Sequence, residues 1–299
     1  MSVLESHRVE TPHGPLHLGA QRVAKPLGQV LYLHGATFPT ALSVFFRFDG
    51  RSWADALNEA GFSLWGLDLP GFGASRSALP PGDRPGSRAE ELVPHLLAAI
   101  EKVRQSDPGV PLALISHSWG TIVAGKAIQK AQAAVRALVL FGPIVQRQMP
   151  LPPNKLPRDR LLSVWEQYRR FIEDVPRGQG AVLLDRHMQR WSEAYLATDP
   201  EAVGREPPAV RVPTGPLVDI ADTWRGTAPY DASALTLPCL VVRGEWDSLC
   251  TDADAQRLLG ALRNGRDHKI ARGTHLMHLE ESRTALHEVT NRFLLEHLA

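Results

Sequence analysis

Short apolar runs alternate with amphipathic segments through the first half of the chain. Four runs rich in leucine, β-branched or aromatic residues predict buried strands, at residues 29–33, 62–67, 111–116 and 137–141. Apolar residues spaced three and four apart predict helices between them, at residues 50–61, 89–105 and 120–134. Strands and helices that alternate through short connections favour parallel pairing. The pattern therefore predicts an α/β fold whose mostly parallel central sheet is covered by helices on both faces.

The alternation stops after residue 143, and no strand is predicted from there to about residue 229. Helical spacing recurs in this stretch at residues 161–172, 189–196 and 217–224. Strand patterns resume at residues 239–242 and 268–270, and a helix is predicted at residues 281–297. The chain is therefore divided into a core domain, 1–143 and 229–299, and an inserted helical cap, 144–228. Prolines at positions 150, 152 and 153 are expected to stiffen one connection of that cap.

Composition narrows the possible partners. The chain has 299 residues, with 33 Lys+Arg against 32 Asp+Glu and 43% hydrophobic residues. This near-neutral balance gives no signature of nucleic-acid binding, and a small-molecule substrate is the expected partner. No apolar run approaches the ~20 residues of a membrane helix, and no basic and apolar leader is evident, so we expect a cytoplasmic protein without membrane insertion. The sequence leaves the oligomeric state open.

The strongest local motif is SHSWG at residues 116–120. Ser118 follows an apolar strand, precedes a helix rich in small residues, and has a small residue two positions away on each side. This is typical of a nucleophile elbow, a strained turn in which bulky neighbours would clash. Serine replaces the usual glycine at position 116, and an ordinary surface turn is the alternative interpretation.

A serine nucleophile needs a base that is oriented by an acid. Asp247 follows the strand predicted at 239–242, and His275 lies in a glycine-containing loop before the last helix. Both therefore lie at carboxyl ends of strands, where ligands bind in open α/β sheets. Glu245 and His278 are the alternatives. We expect the side chain of Glu245 to point elsewhere, and we expect His278, where the last helix begins, to be structural or merely nearby. A zinc pair formed by His275 and His278 lacks a third ligand, so no metal is expected.

Acyl transfer also needs hydrogen-bond donors for an oxyanion. The backbone N–H of Trp119, directly after Ser118, is one expected donor, and the N–H of Ala36 in the loop after the strand at 29–33 is the other. We expect the neighbouring His34 side chain to be hydrogen-bonded within that turn.

Together these motifs resemble the α/β-hydrolase superfamily, in matching order over nearly the whole chain outside the cap. The motifs are HG at 34–35, DLPGFGAS at 68–75, SHSWG at 116–120, RGEWD at 243–247 and GTH at 273–275. The resemblance implies that Ser118, Asp247 and His275 form a nucleophile–acid–base triad. A dinucleotide site at GFG, residues 71–73, lacks the third glycine of its fingerprint, so no cofactor is expected.

The resemblance favours a cofactor-independent serine hydrolase that cleaves a carboxylic ester, lactone or thioester of a small, largely apolar substrate. Carbon–carbon bond hydrolysis, a lyase reaction and a non-catalytic receptor on the same fold are the alternatives. The cap aromatics either line a pocket over Ser118 or form the cap's own core: Trp165, Tyr168, Phe171, Trp191, Tyr195 and Trp224. Arginines of the cap are alternatives for binding a substrate carboxylate: Arg169, Arg170 and Arg190.

Overall fold

A computed structural model describes residues 3–152 and 155–299. Within them the strands are β1 (Glu5–Val9), β2 (Leu16–Gln21), β3 (Gly28–Leu33), β4 (Phe62–Leu67), β5 (Leu112–His117), β6 (Ala137–Phe141), β7 (Asp159–Ser163), β8 (Ala209–Pro213), β9 (Cys239–Gly244) and β10 (Gly265–Ile270). The helices are α1 (Trp53–Glu59), α2 (Ala89–Ser106), α3 (Gly120–Ala131), α4 (Val164–Ile172), α5 (Asp185–Ala197), α6 (Gly215–Trp224), α7 (Asp252–Ala261) and α8 (Arg283–Leu298).

Eight strands form the main sheet, in the order β1-β2-β4-β3-β5-β6-β9-β10. The six strands from β4 to β10 in that order are parallel, while β2 is antiparallel to both β1 and β4. The predicted α/β-hydrolase architecture, a mostly parallel sheet flanked by helices, is confirmed. The antiparallel β1–β2 hairpin was not predicted, because β1 carries polar residues and is only partly buried.

Alternation along the central strands gives the sheet two apolar faces. On β3, Leu31 and Leu33 join the core beneath α2 and α3, whereas Val30 and Tyr32 join the opposite core beneath α1 and α8. The helices α1, α2, α3, α7 and α8 pack on these faces, and α1, α2, α3 and α8 do so by apolar stripes. No helix of the described residues is both long and apolar enough to cross a membrane.

Residues 144–228, the inserted segment, leave the sheet after β6 and return to it before β9. The prediction that this segment has no strand was wrong, because β7 and β8 pair antiparallel from Asp159 with Pro213 to Ser163 with Ala209. Each strand is only five residues long and its partner is distant in sequence, so no hairpin signal marks the pair. Of the prolines expected to stiffen the connection, Pro153 lies outside the described residues.

The helix predicted at residues 161–172 is shorter than expected, because its first residues belong to β7. Ser163 forms its N-cap and accepts the backbone N–H of Glu166 at 3.2 Å, while the Glu166 carboxylate accepts the backbone N–H of Ser163 at 2.8 Å. This reciprocal capping box satisfies two N–H groups of the first turn and fixes the start of α4 at Val164.

Candidate active site

The turn between β5 and α3 holds Ser118 in a left-handed backbone conformation, with φ of 55°. Its N–H donates to the carbonyl oxygen of Phe141 on β6, at 2.9 Å. A Cβ added to Gly120 would lie 2.5 Å from the backbone oxygen of His34, so only glycine fits there. The hydroxyl of Ser116 donates to the carbonyl of Val139 at 3.2 Å, which accounts for a serine where the motif usually has glycine.

Ser118, His275 and Asp247 lie together at the carboxyl ends of the strands. The Oγ atom of Ser118 lies 2.7 Å from Nε2 of His275, and Nδ1 of His275 lies 3.0 Å from both carboxylate oxygens of Asp247. Because a carboxylate only accepts, Nδ1 carries the proton and Nε2 is free to accept the serine hydroxyl. All three residues are at least 95% buried. The sequence thus selected three residues that the fold brings into one hydrogen-bonded chain.

The carboxylate of Asp247 is stabilised in its ionised form despite its burial. Burial alone would raise its pKa, but the charge and hydrogen bond of His275 and the N–H groups of Leu249 and Cys250, at 2.9 and 3.1 Å, together lower that pKa below its ordinary value. Gly142 lies against this pair, since a Cβ there would be 3.0 Å from the His275 ring and 3.2 Å from the carboxylate. The backbone at Gly142 therefore packs directly against the His275–Asp247 pair.

The main chain of His275 is held by the residue that precedes the serine. Nε2 of His117 lies 3.0 Å from the carbonyl oxygen of His275, so its N–H donates to that oxygen. The His117 ring also stacks on Phe141, with centroids 4.3 Å apart. His117 has no predicted role, and in the sequence only its place within the SHSWG motif marks it.

The loop after β3 lies against the serine turn, since a Cβ added to Gly35 would be 3.2 Å from the Cβ of Ser118. The His34 ring accepts the N–H of Leu69 at Nε2, 3.1 Å away, so Nδ1 carries the proton and donates to the carbonyl of Gly35 at 2.7 Å. This bond fixes the Gly35–Ala36 peptide and directs the N–H of Ala36 away from His34. Within residues 3–152 and 155–299, neither that N–H nor the N–H of Trp119 has an acceptor, so both are available as donors.

Trp119 also joins the elbow to the inserted segment. Its indole N–H donates to the carboxylate of Asp219 on α6, at 2.9 Å. The same carboxylate accepts the backbone N–H of Ala89 at 2.7 Å and Nε–H of Arg88 at 2.6 Å. Asp219 therefore connects the elbow, the start of α2 and α6. No local pattern in the sequence marks Asp219, because its contact with Trp119 spans 100 residues.

Among the described residues, neither alternative, Glu245 or His278, is hydrogen-bonded through its side chain to Ser118, Asp247 or His275. The carboxylate of Glu245 is exposed and accepts the backbone N–H of Arg272 at 2.9 Å. His278 is buried with its ring 4.7 Å from that of His117, centroid to centroid. Among the described residues, no group of three or more His, Cys, Asp or Glu side chains is placed to hold a metal ion.

Aromatic residues of the inserted segment pack mainly against one another. Trp191 and Tyr195 stack with centroids 5.2 Å apart, and Trp191 meets the edges of Phe171 and Phe38, each at 5.2 Å. Trp191 also donates its indole N–H to the carbonyl of Leu42 at 2.9 Å. These aromatics form the segment's core and join it to the loop after β3.

The remaining candidates of the inserted segment lie towards its surface. Trp165 is 63% exposed, with Tyr168 beside it at 5.6 Å, and Trp224 lies beneath the guanidinium of Arg147 at 4.8 Å. Arg170 pairs with Asp174 at 3.3 Å, and Arg169 and Arg190 are exposed.

Comparison with known proteins agrees with this architecture. Three solved structures match nearly the whole chain: a serine hydrolase involved in carbazole degradation (15% identity, TM-score 0.67, 98% of this chain and 99% of that chain), the thioesterase domain from the curacin biosynthetic pathway (14%, 0.65, 98% and 99%) and a thermophilic esterase from Thermogutta terrifontis (16%, 0.62, 99% and 100%). At these identities the likeness shows the fold alone. No curated protein matches the sequence significantly.

The family is shown by the sequence itself. Residues 25–282 match the sequence model of the family described as serine aminopeptidase, S33. The match spans β3 to the last turn before α8, and so includes Ser118, Asp247 and His275. The chain therefore belongs to the serine aminopeptidase S33 family of α/β-hydrolases.

Proposed function

We propose that the protein is a serine hydrolase that cleaves an ester-like bond, a carboxylic ester, lactone or thioester, through an acyl-enzyme. The observation that carries the proposal is the chain of short contacts from Ser118 Oγ to His275 Nε2, at 2.7 Å, and from His275 Nδ1 to Asp247, at 3.0 Å. A serine hydroxyl becomes a nucleophile when a base can take its proton and an acid holds the base in the correct tautomer.

In the proposed reaction the Oγ atom of Ser118 attacks the carbonyl carbon of the substrate while its proton passes to Nε2 of His275. The resulting imidazolium is stabilised by Asp247, and it returns the proton to the leaving group as the tetrahedral intermediate collapses. Water then enters, loses a proton to His275, and hydrolyses the acyl-enzyme by the same sequence of steps. The buried, ionised carboxylate of Asp247 suits this role, since it favours the cationic imidazole in a site with little water.

The oxyanion of the tetrahedral intermediate would be bound by the N–H groups of Ala36 and Trp119. Both donors belong to a held backbone: His34 fixes the peptide before Ala36, and the Trp119 indole is anchored on Asp219. Donors that are already oriented need no reorganisation during the reaction, and each is worth about 10²–10³ in rate.

We further propose that the inserted segment, 144–228, acts as a cap over the reacting residues. Its contacts support this role: Gln167 donates to the carbonyl of Thr37 at 3.4 Å, Trp191 to that of Leu42 at 2.9 Å, and Asp219 accepts from Trp119. These core residues follow β3 and β5 at their carboxyl ends. A cap there would exclude water and would favour a small, largely apolar substrate.

The names of two structural neighbours, a thioesterase domain and an esterase, are consistent with ester-like substrates, and the S33 name adds aminoacyl amides as a class to be tested. A substrate panel should therefore contain short-chain carboxylic esters, lactones, acyl thioesters and aminoacyl anilides. A compound cleaved at a carbon–carbon bond should be included, because the same three residues could serve that chemistry.

The first test is covalent labelling. The protein is treated with a fluorophosphonate, and intact mass is measured for the native chain and for Ser118→Ala. One adduct on the native chain, mapped to Ser118 and absent from the variant, would support the proposal. A folded native chain that forms no adduct and hydrolyses nothing in the panel would instead favour a small-molecule receptor. The cytoplasmic location and the lack of a nucleic-acid partner stay predictions.

A further inference from the structure

Glu280 is a buried carboxylate beside the loop that carries His275. It directly follows the short 3₁₀ turn Met277–Leu279, and its residue is 0% exposed. Thr274 donates to this carboxylate twice, through its backbone N–H at 3.2 Å and through its hydroxyl. The hydroxyl oxygen of Thr274 in turn accepts the backbone N–H of Leu276, at 3.1 Å.

These bonds enclose His275. The residue before it is bound to Glu280 directly, and the residue after it is bound through the Thr274 hydroxyl. We infer that Glu280 is a positioning residue of the proposed hydrolase, which holds the His275 backbone so that the imidazole lies between Ser118 and Asp247. The inference rests on the proposed function, since a held imidazole matters only if His275 is the base. An error of about 1 Å in such a group can cost 10²-fold in rate.

The charges around Glu280 do not explain its burial as an ion pair. Within the described residues no lysine or arginine forms a salt bridge with its carboxylate, and the carboxylates of Asp174 and Asp247 act on it. The guanidinium of Arg283 donates to the backbone carbonyl of Glu280 at 2.8 Å and pairs with Asp49 at 3.6 Å. Arg170, on the same side, pairs with Glu173 and Asp174. Burial raises the pKa of Glu280 to about 7, the bonds from Thr274 oppose that rise, and the two aspartates add to it.

This environment gives the carboxylate a definite effect on stability. Its pKa in the folded protein, about 7, exceeds the ordinary value of 4.5, so the folded state prefers the protonated form. Its contribution to stability is fully present below pH 4.5 and is lost as the pH rises to about 7. At pH 8 Glu280 is ionised and the fold has lost this contribution, whereas an uncharged side chain in its place would not lose stability over that pH range.

The variant Glu280→Gln distinguishes a residue that positions His275 from one that only stabilises the fold. The amide oxygen can accept the Thr274 N–H and the amide N–H₂ can donate to the Thr274 hydroxyl oxygen, so the side chain still fits. The hydroxyl proton of Thr274 loses its acceptor, and the negative charge near His275 is lost. Glu281→Gln is the matched control, because Glu281 is the next residue, is exposed, and carries the same charge.

The experiment measures kcat and KM from pH 5.5 to 9 on an ester that the native chain hydrolyses, and Tm at pH 5.5 and 8. For Glu280→Gln we expect kcat at pH 8 to fall about tenfold or more, with KM nearly unchanged and Tm at pH 8 equal or higher. The acid limb of log kcat/KM should become less steep than in the native chain, because one ionising group is removed. Glu281→Gln should match the native chain in all three readouts.

A second pair of variants tests the inference even if Glu280→Gln does not fold. Thr274→Val removes the hydroxyl that joins Glu280 to Leu276, and Thr274→Ser keeps it. We expect kcat to fall in the valine variant and to recover in the serine variant.

Unchanged kcat and an unchanged pH profile in Glu280→Gln would overturn the inference, as would a joint fall of kcat and Tm at pH 8. Neither result would touch the proposed function as long as the native chain labels at Ser118 and turns over an ester. A native chain that does neither would contradict the proposed function and the inference with it.

Discussion

Nε2 of His117 lies 3.0 Å from the carbonyl oxygen of His275, so the residue before Ser118 is hydrogen-bonded to the main chain of the residue that faces Ser118. Burial, with the nearby rings of His278 and His275, holds the pKa of His117 well below its ordinary value. The ring is therefore neutral at ordinary pH, and its single N–H is committed to this bond. This bond therefore joins the turn that carries Ser118 to the loop that carries His275.

Replacement of His117 by phenylalanine should test that link. The variant keeps an aromatic ring against Phe141 but leaves the His275 carbonyl without its donor, a loss of about 1–3 kcal/mol for a buried group. We expect kcat to fall by about tenfold, together with a lower urea midpoint. Steady-state kinetics and equilibrium unfolding measure the two effects.

His278→Phe is the matched control for that variant. His278 is buried in the same cluster, yet neither of its ring nitrogens has a hydrogen-bond partner among the described residues. Its replacement removes no hydrogen bond and should leave kcat nearly unchanged. Equal losses of kcat in the two variants would show that packing of the cluster, and not the bond to His275, is what matters.

Ser118→Ala should lower kcat by about 10³ or more on every substrate of the native chain, as expected when a nucleophile is removed. Its melting temperature should change little, because the strained turn keeps its backbone bond to Phe141. Ser116→Ala, a change of a second buried serine in the same turn, should cost far less activity, since that hydroxyl donates to Val139 on the next strand. Similar activity in the two variants would remove Ser118 from the mechanism.

Asp247→Asn should lower kcat strongly, by about 10³–10⁴, without unfolding the protein. The asparagine amide can present its N–H₂ group to Nδ1 of His275, which favours the wrong tautomer. Glu245→Gln should be mild, because that carboxylate is exposed and bonds to the backbone of Arg272. Kinetics on both variants, with circular dichroism to establish folding, decide the assignment, and the reverse ranking would transfer the acid role to Glu245.

Trp191→Ala and Trp165→Ala should differ in stability. Trp191 is fully buried among Phe38, Phe171 and Tyr195, so its truncation should cost about 3–5 kcal/mol. Trp165, at 63% exposure, should cost less than about 1 kcal/mol. Melting temperature and KM are measured for both. If Trp191→Ala kept the native melting temperature and only changed KM, it would line a substrate pocket after all.

The sequence carries much of this architecture in short-range signals. The alternation of apolar runs and amphipathic segments marks the parallel strands. Ser118 and Asp247 each follow such a run and His275 follows a glycine, and because parallel strands end at the same edge of the sheet, these residues are expected to meet there. Strands that pair with a strand far away in the sequence leave no local signal. The strands β7 and β8 pair across 45 or more residues, and β1 is too polar to be marked by hydrophobicity.

The side-chain contacts that support the site are even harder to predict from the sequence. Asp219 and Glu280 are acidic residues of helical or turn segments, where a charge usually faces solvent, and only the folded chain shows that each is buried against backbone donors. Their roles depend on side-chain geometry that no periodicity encodes.

The bond between the indole of Trp119 and the carboxylate of Asp219 limits how this scaffold can be recombined. Enzyme engineers often alter substrate choice by grafting the excursion between two strands from one hydrolase onto another. Here such a graft would remove Asp219, the acceptor shared by Trp119, Arg88 and the N–H of Ala89, and would leave an arginine and two N–H groups of the core domain without their partner. A working chimera therefore needs an acid at position 219 of the new inserted segment, or replacements of Trp119 and Arg88 in the core domain.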